Sequence, residues 1–278
     1  MSRIELNGSS YNVEIAGSGP AMLLVHGFTG GASTWKASRD HRPGMTTIAP
    51  DLLGHGDSDC PPERDRYSMT AVVDDLVRLV RQLGLGRVIV LGYSMGGRLA
   101  MHLALAAPEI VEVLVLESTS PGIESRQERL ARVTSDEKLA DDIERDGIAA
   151  FVARWEALPL FASQADLPAA VRESLRRQRL RQDPRGLANN LRGMSVGRQE
   201  SLWTRLSELS MPQLIVAGAL DRKYCDIART MSEAAPGARL SIIPDAGHAV
   251  HLERPDAFWQ TVRTFLADLT PEKERRLA

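Results

Sequence analysis

Ser94 stands in Gly92-Tyr93-Ser94-Met95-Gly96, after an apolar run and before a helix-like one. A serine hydroxyl is a weak nucleophile until a neighbour activates it, so its setting decides whether it reacts. Glycines on both flanks let the backbone pass close enough for Ser94 to occupy the tip of a strained bend. Its oxygen would then face a helix N-terminus, whose free N–H groups and positive dipole end favour a developing anion. The competing reading is a glycine-rich turn without chemistry.

A reacting serine needs a base. Of the six histidines, His26, His41 and His55 precede Ser94, and His102 lies further along the same helix, pointing away. His248 and His251 remain, in the run Asp245 to Pro255. His248 follows a strand-like segment in a glycine-containing loop that can return it to the sheet edge. His251 is read as packing against or capping the next helix. An imidazole that cycles through its charged form needs a carboxylate to fix its tautomer and stabilise the cation. Asp221 ends the strand-like run 213–221, where such an acid belongs, with Asp226 (helical) and Asp245 (in a turn) as competitors. The strand ending in His26-Gly27-Phe28 offers the Phe28 N–H as one oxyanion donor, with the Met95 N–H as the other. His26 itself reads as a structural histidine that holds the loop.

These groups can meet only if the elements bring them together. Apolar runs at 21–27, 46–52, 87–93, 111–118, 213–221 and 240–247 alternate with helical patterns. Continuous apolar runs of that length read as parallel strands covered on both faces. The order predicts an α/β fold with a mostly parallel, doubly wound sheet. One helix is expected over 70–86, stopped by Gly84 or Gly86, and another from Met95 to Pro108. From 121 to 203 no strand pattern is found, only helical stretches rich in Arg, Ala and Leu. This block is expected to be a helical cap, or lid, inserted over the sheet's carboxyl edge, where open α/β sheets place ligands. Residues 1–120 and 204–278 would form the core.

With 278 residues, 43% hydrophobic and 25% charged, the chain suits one α/β domain with an insertion and excludes a disordered protein or a coiled coil. A net charge of -2 gives no global reason to expect nucleic acid or an anionic membrane as partner. Cys60 and Cys225 make neither a disulfide framework nor a zinc site. No apolar stretch reaches the roughly 18 residues of a membrane span, and the first residues lack a secretory h-region. The expectation is a soluble, cytoplasmic protein.

Over nearly its whole length the sequence resembles the α/β-hydrolase superfamily. The resemblance rests on HGFTG (26–30), PDLLGHGDS (50–58), GYSMGG (92–97), GALD (218–221) and AGHAVHLERP (246–255). The chain order Ser94, Asp221, His248 is the order that superfamily uses. Over residues 20–268 it looks more specifically like the 2-succinyl-6-hydroxy-2,4-cyclohexadiene-1-carboxylate synthases of menaquinone (vitamin K2) biosynthesis. That resemblance is carried by GYSMGGRLAMHLAL, LESTSPG, RWEALPLFASQ and the arginine-rich stretch 176–199. It implies a lyase whose Ser-His-Asp set abstracts a proton and eliminates pyruvate, without metal or organic cofactor. It also implies that Arg98, Arg132 and Arg179 hold substrate carboxylates and that Tyr93 and Trp155 contact substrate. Arg129 and Arg176 are close rivals, and Trp155 reads equally well as cap core. A carboxylic-ester or thioester hydrolase, a C–C bond hydrolase and a non-catalytic receptor are the alternatives on the same fold.

A multi-carboxylate substrate calls for arginines that clamp planar anions. Arg98 lies one helical turn beyond Ser94, and Arg126, Arg129 and Arg132 follow in the cap. Residues 168–200 carry eight arginines against Glu173, Asp183 and Glu200. A basic cap is therefore expected, where a lipase-like cap would be apolar.

Overall fold

The computed structural model describes residues 2–41 and 44–277, leaving aside the side chains of 37–41 and 270–277. The predicted strand runs form β3 (Ala21–Val25), β4 (Thr46–Pro50), β5 (Val88–Tyr93), β6 (Val111–Glu117), β7 (Gln213–Gly218) and β8 (Ala238–Ile243), all parallel. The N-terminus adds an antiparallel hairpin, β1 (Ser2–Leu6) and β2 (Ser9–Ala16), which extends the sheet through β4. Asn7 and Gly8, at φ 49° and 78°, supply its two-residue turn. Positive φ at both positions is what a tight hairpin requires, and Asn-Gly is the pair that tolerates it best. The sheet order is β1-β2-β4-β3-β5-β6-β7-β8.

Alternate residues of the central strands point into two separate cores. Leu23, Val25, Val90, Leu114, Leu116 and Ile215 join one core with α1 (Met69–Gln82), α2 (Met95–Ala106) and α6 (Arg222–Ala234). Leu24, Ile89, Leu91, Val115, Leu214 and Val216 face Trp35 and the Phe258, Trp259, Val262 and Phe265 side chains of α8 (Pro255–Leu277). Burial on both faces explains the unbroken apolar runs, each fully buried Leu or Val being worth about 1.5–3 kcal/mol. Helix α1 begins at an N-cap Ser68 whose side chain accepts from the Ala71 N–H, and Gly84 at φ 64° follows its end.

Between β6 and β7 lie α3 (Arg126–Glu156), α4 (Ala169–Leu180) and α5 (Pro184–Met194), with no strand among the described residues. They have a small core of their own, in which Ala140, Ile143 and Phe151 of α3 meet Leu187, Ala188 and Leu191 of α5. Helix α3 is broken at Gly147, which has φ 79°. Among the described residues no helix is long and apolar enough to cross a membrane.

Candidate active site

Ser94 joins β5 to α2 at φ 52° and ψ -108°, a conformation that L-residues avoid and that costs on the order of 1–3 kcal/mol. Its surroundings leave no alternative. A Cβ at Gly92 would collide with the Gly96 carbonyl, and one at Gly96 with the Val25 carbonyl. The bend is also tied to the neighbouring strand: Ser94 N–H donates to the Glu117 carbonyl at 2.8 Å, and Thr119 Oγ1 donates to the Ser94 carbonyl at 2.7 Å. The glycine-rich pentapeptide is thus a turn, and the turn lifts a serine side chain above the strand ends.

His248 follows β8 in a loop, 2% exposed. Its Nδ1 lies 2.7 Å from Asp221 Oδ2 and its Nε2 lies 3.0 Å from Ser94 Oγ. A carboxylate only accepts, so the proton sits on Nδ1 and Nε2 is left to accept from the serine hydroxyl. Asp221 follows β7 and caps α6, its Oδ1 accepting from the Tyr224 N–H at 3.3 Å. The loop is held from below by Glu253 in α7 (Val250–Glu253), whose carboxylate accepts from the Gly247 N–H at 2.6 Å and the Ala249 N–H at 3.1 Å. Those two amides flank His248, so one buried carboxylate sets where the imidazole stands.

The competitors are engaged elsewhere. Asp226 is exposed and pairs with Arg229, and Asp245 sits in a turn at φ 55°. His251 donates from Nδ1 to the buried Glu117 carboxylate at 2.8 Å and lies under the Tyr93 ring, 4.8 Å between centroids. His26 bonds the Gly27 carbonyl through Nδ1 and accepts the Leu52 N–H on Nε2, so it braces two loops. Burial lowers its pKa, which keeps it neutral.

A cavity of about 1220 Å³ lies at the carboxyl ends of the strands, and every site residue named from the sequence lines it: Ser94, Asp221, His248, Phe28, Met95, Arg98, Tyr93, Arg132, Trp155 and Arg179. Met95 opens α2, where main-chain N–H groups have no partner within the helix. Phe28 sits on the facing loop, and Gly27 before it leaves room for the Tyr93 ring, which a Cβ would approach to 2.8 Å. Burial, reinforced by the Glu117 carboxylate, raises the Tyr93 phenol well above its ordinary value and keeps it protonated. Trp155 serves both readings made for it. Its ring packs with Phe28, Phe151 and Phe161 and also forms cavity wall.

The arginines separate sharply. Arg98 makes no ion pair among the described residues; its Nη1 donates to the Met194 carbonyl at 2.9 Å and to Gln199 Oε1. Burial pulls its pKa down to about 10, which leaves it charged at neutral pH. Arg132 pairs with Asp136 at 2.8 Å, and Arg179 with Glu156 at 3.1 Å and with Gln164 at 3.0 Å. Neither rival lines this cavity: Arg129 bonds the carbonyls of Ile123 and Glu124, and Arg176 pairs with Glu156.

The basic cap expected from residues 168–200 needs correcting. Arg192 is enclosed by Glu137, Asp141 and Glu144 of α3, Arg198 reaches Glu137, Arg177 pairs with Glu173 and Arg181 with Asp57. The local excess is largely offset by acids distant in sequence. Two cations not anticipated, Arg222 and Lys223, line the cavity at the start of α6. Their one sequence signal is their place directly after Asp221.

Residues 20–255 match the family described as the alpha/beta hydrolase fold. A Bacillus subtilis (strain 168) protein, provisionally named 2-succinyl-6-hydroxy-2,4-cyclohexadiene-1-carboxylate synthase, is 45% identical over 92% of this chain and 94% of its own. Among solved structures, MenH from S. aureus superposes with a TM-score of 0.89 at 32% identity, covering 92% of this chain and 98% of that one. A thermophilic esterase from Thermogutta terrifontis, malate bound, superposes with a TM-score of 0.86 at 29% identity, covering 96% and 99%.

Proposed function

The chain belongs to the α/β-hydrolase fold family and, within it, to the 2-succinyl-6-hydroxy-2,4-cyclohexadiene-1-carboxylate synthases, and from that premise we propose how its cavity performs the synthase reaction. It is a carbon–oxygen lyase of menaquinone biosynthesis acting in the cytoplasm. Its substrate is 2-succinyl-5-enolpyruvyl-6-hydroxy-3-cyclohexene-1-carboxylate, from which it eliminates pyruvate. The observation that carries the reading is Arg98, a guanidinium paired with no carboxylate in the same cavity as the Ser94–His248–Asp221 chain. A neutral ester does not call for that charge. A multi-carboxylate substrate does.

His248, oriented by Asp221, draws the proton from Ser94 Oγ, and Ser94 takes the acidic proton α to the succinyl ketone. The enolate oxygen is held by the Phe28 and Met95 N–H groups, each such donor being worth roughly 10²–10³ in rate. Electrons then shift through the ring and break the bond to the enolpyruvyl oxygen. The leaving enolpyruvate recovers a proton and becomes pyruvate, and the ring keeps the new conjugated diene. Arg98 orients the substrate's carboxylates, helped at the cavity edge by Arg132 and Arg179, while Tyr93 and Trp155 supply apolar walls. Residues 121–203 act as the cap over this site, and 1–120 with 204–278 as the core.

The test generates the succinylated enolpyruvyl substrate in situ and follows pyruvate release together with diene absorbance. Purified protein should accelerate both, and no acceleration overturns the reading. Ester hydrolysis is the second reading, favoured by the likeness to the Thermogutta esterase and by a serine–histidine geometry that suits acyl transfer equally well. Turnover of p-nitrophenyl acetate, lost in Ser94→Ala, with no pyruvate released would establish it instead.

A further inference from the structure

Three of the guanidinium groups lining the cavity are held in different ways. Arg132 faces the Asp136 carboxylate, and Arg179 shares the Glu156 carboxylate with Arg176, so each has an acid set against it. Arg98 is held only by neutral oxygens, the Met194 carbonyl and Gln199 Oε1, both accepting from Nη1. Its Nη2 and Nε have no partner among the described residues. A neutral acceptor orients a guanidinium without cancelling its charge, whereas a carboxylate would do both.

Gln199 is built into its place. It is 6% exposed, its N–H donates to the Ser195 carbonyl at 3.2 Å, and its Nε2 lies against Gly122, where a Cβ would come within 3.0 Å. Gly122 has φ 116°, a conformation that side chains rarely adopt, so the space beside the carboxamide is kept open by the backbone itself. The Leu202 N–H donates to the Pro121 carbonyl at 2.8 Å and Trp203 Nε1 to the Gly122 carbonyl at 3.2 Å, tying both chain segments together. Nor can the carboxamide be reversed, because its NH₂ would then meet the Arg98 donor. Gln199 Nε2 is buried and meets no acceptor among the described residues.

We propose that Gln199 is the positioning residue of the carboxylate subsite: it aims Arg98 into the cavity and, by being an amide rather than an acid, leaves that charge free for the substrate. This rests on the reading of Arg98 as the group that meets a substrate carboxylate. Arg98 touches substrate; Gln199 acts through it.

Gln199→Glu keeps shape and changes charge. The variant forms an ion pair with Arg98, which satisfies the guanidinium and sets a carboxylate against the incoming anion. KM for the succinylated enolpyruvyl substrate should rise roughly tenfold to a hundredfold, the range set by one charge-assisted hydrogen bond. Affinity for succinate, a plain dicarboxylate probe measured by calorimetry, should fall in parallel, while Tm is equal to or above that of the wild type. A merely structural glutamine predicts the opposite pattern, with unchanged KM. Gln199→Leu, which removes the acceptor without adding charge, should raise KM by a smaller factor, and it decides the matter if the glutamate variant does not fold. Unchanged KM and unchanged succinate affinity in folded variants overturn the proposal, as does a wild-type protein that binds no succinate. A wild-type protein that binds succinate in a Gln199-dependent way yet releases no pyruvate leaves this proposal standing and overturns the synthase reading.

Discussion

Two histidine–carboxylate pairs share the loop and short helix after β8, and their bond lengths barely differ: 2.7 Å for His248 with Asp221 and 2.8 Å for His251 with Glu117. Each carboxylate comes from the end of a neighbouring strand. Their surroundings are opposite. His248 has a second nitrogen facing Ser94 Oγ at the edge of the cavity. His251 has its Nε2 sealed in without a partner among the described residues, with the Trp35 ring 4.7 Å away and Tyr93 above. The pairing alone therefore makes no catalyst, because a base needs both an orienting acid and an open path to a proton. The buried pair does something else. Glu117 also accepts from the His251 main-chain N–H at 3.0 Å, and its own carbonyl receives the Ser94 N–H, so it ties the α7 helix to the elbow.

The comparison breaks or sharpens on substitution. Asp221→Asn should cost the largest factor, a fall in kcat of about 10³–10⁴-fold, because the amide favours the wrong imidazole tautomer. Urea unfolding of that variant should stay close to wild type. Glu117→Gln should show the reverse. The carboxylate accepts from both the main-chain N–H and Nδ1 of His251, and an amide would turn a donor toward one of them. That buried mismatch destabilises by about 1–3 kcal/mol, read as a drop in the urea midpoint, while kcat per folded molecule stays within a few-fold. If the folded Glu117→Gln protein lost activity as deeply as Asp221→Asn, the division of labour drawn here would collapse.

A smaller effect separates paired from unpaired histidines. His55 has no carboxylate, and burial, with His26 beside it, lowers its pKa from 6.5 to about 3. The unfolded chain takes up that proton as pH falls below 6.5 and the folded one does not, so the unfolded state gains. Stability is then complete above neutrality and drains away between pH 6.5 and 3. Going from pH 7 to 5 should remove about 2 kcal/mol through this residue alone. His55→Gln should flatten that slope in a pH series of unfolding curves. An unaltered slope would mean that His55 is not the proton acceptor.

What could be read from the residues depended on how local their determinants are. The elbow, the loop acid and the late histidine each carry a short-range signature: glycines around Ser94, a strand before Asp221, Gly247 before His248. Parallel strands likewise declare themselves in unbroken apolar runs. The N-terminal hairpin lies outside every strand expected from the sequence, its one cue being Asn7-Gly8 beside short strands with mixed patterns. Least legible were the cap charges. Arg192 is matched by acids of α3 about fifty positions earlier, through contacts that no local count of arginines contains. Gln199 is a similar case, since nothing near it in the chain points to Arg98 as its partner.

The Glu253 clamp has a consequence for how such a protein can change. It grips the main chain on either side of His248 from the core side, drawing on no residue of α3, α4 or α5. The His248 loop is thus mounted like a tool in a vice whose jaws lie behind the workpiece. Walls can be recut for a different guest, by altering charge at Gln199 or bulk at Trp155, without remounting the tool. Heritable variation in substrate preference then has an easy route through the segment between β6 and β7, and little of it needs to pass through Glu253.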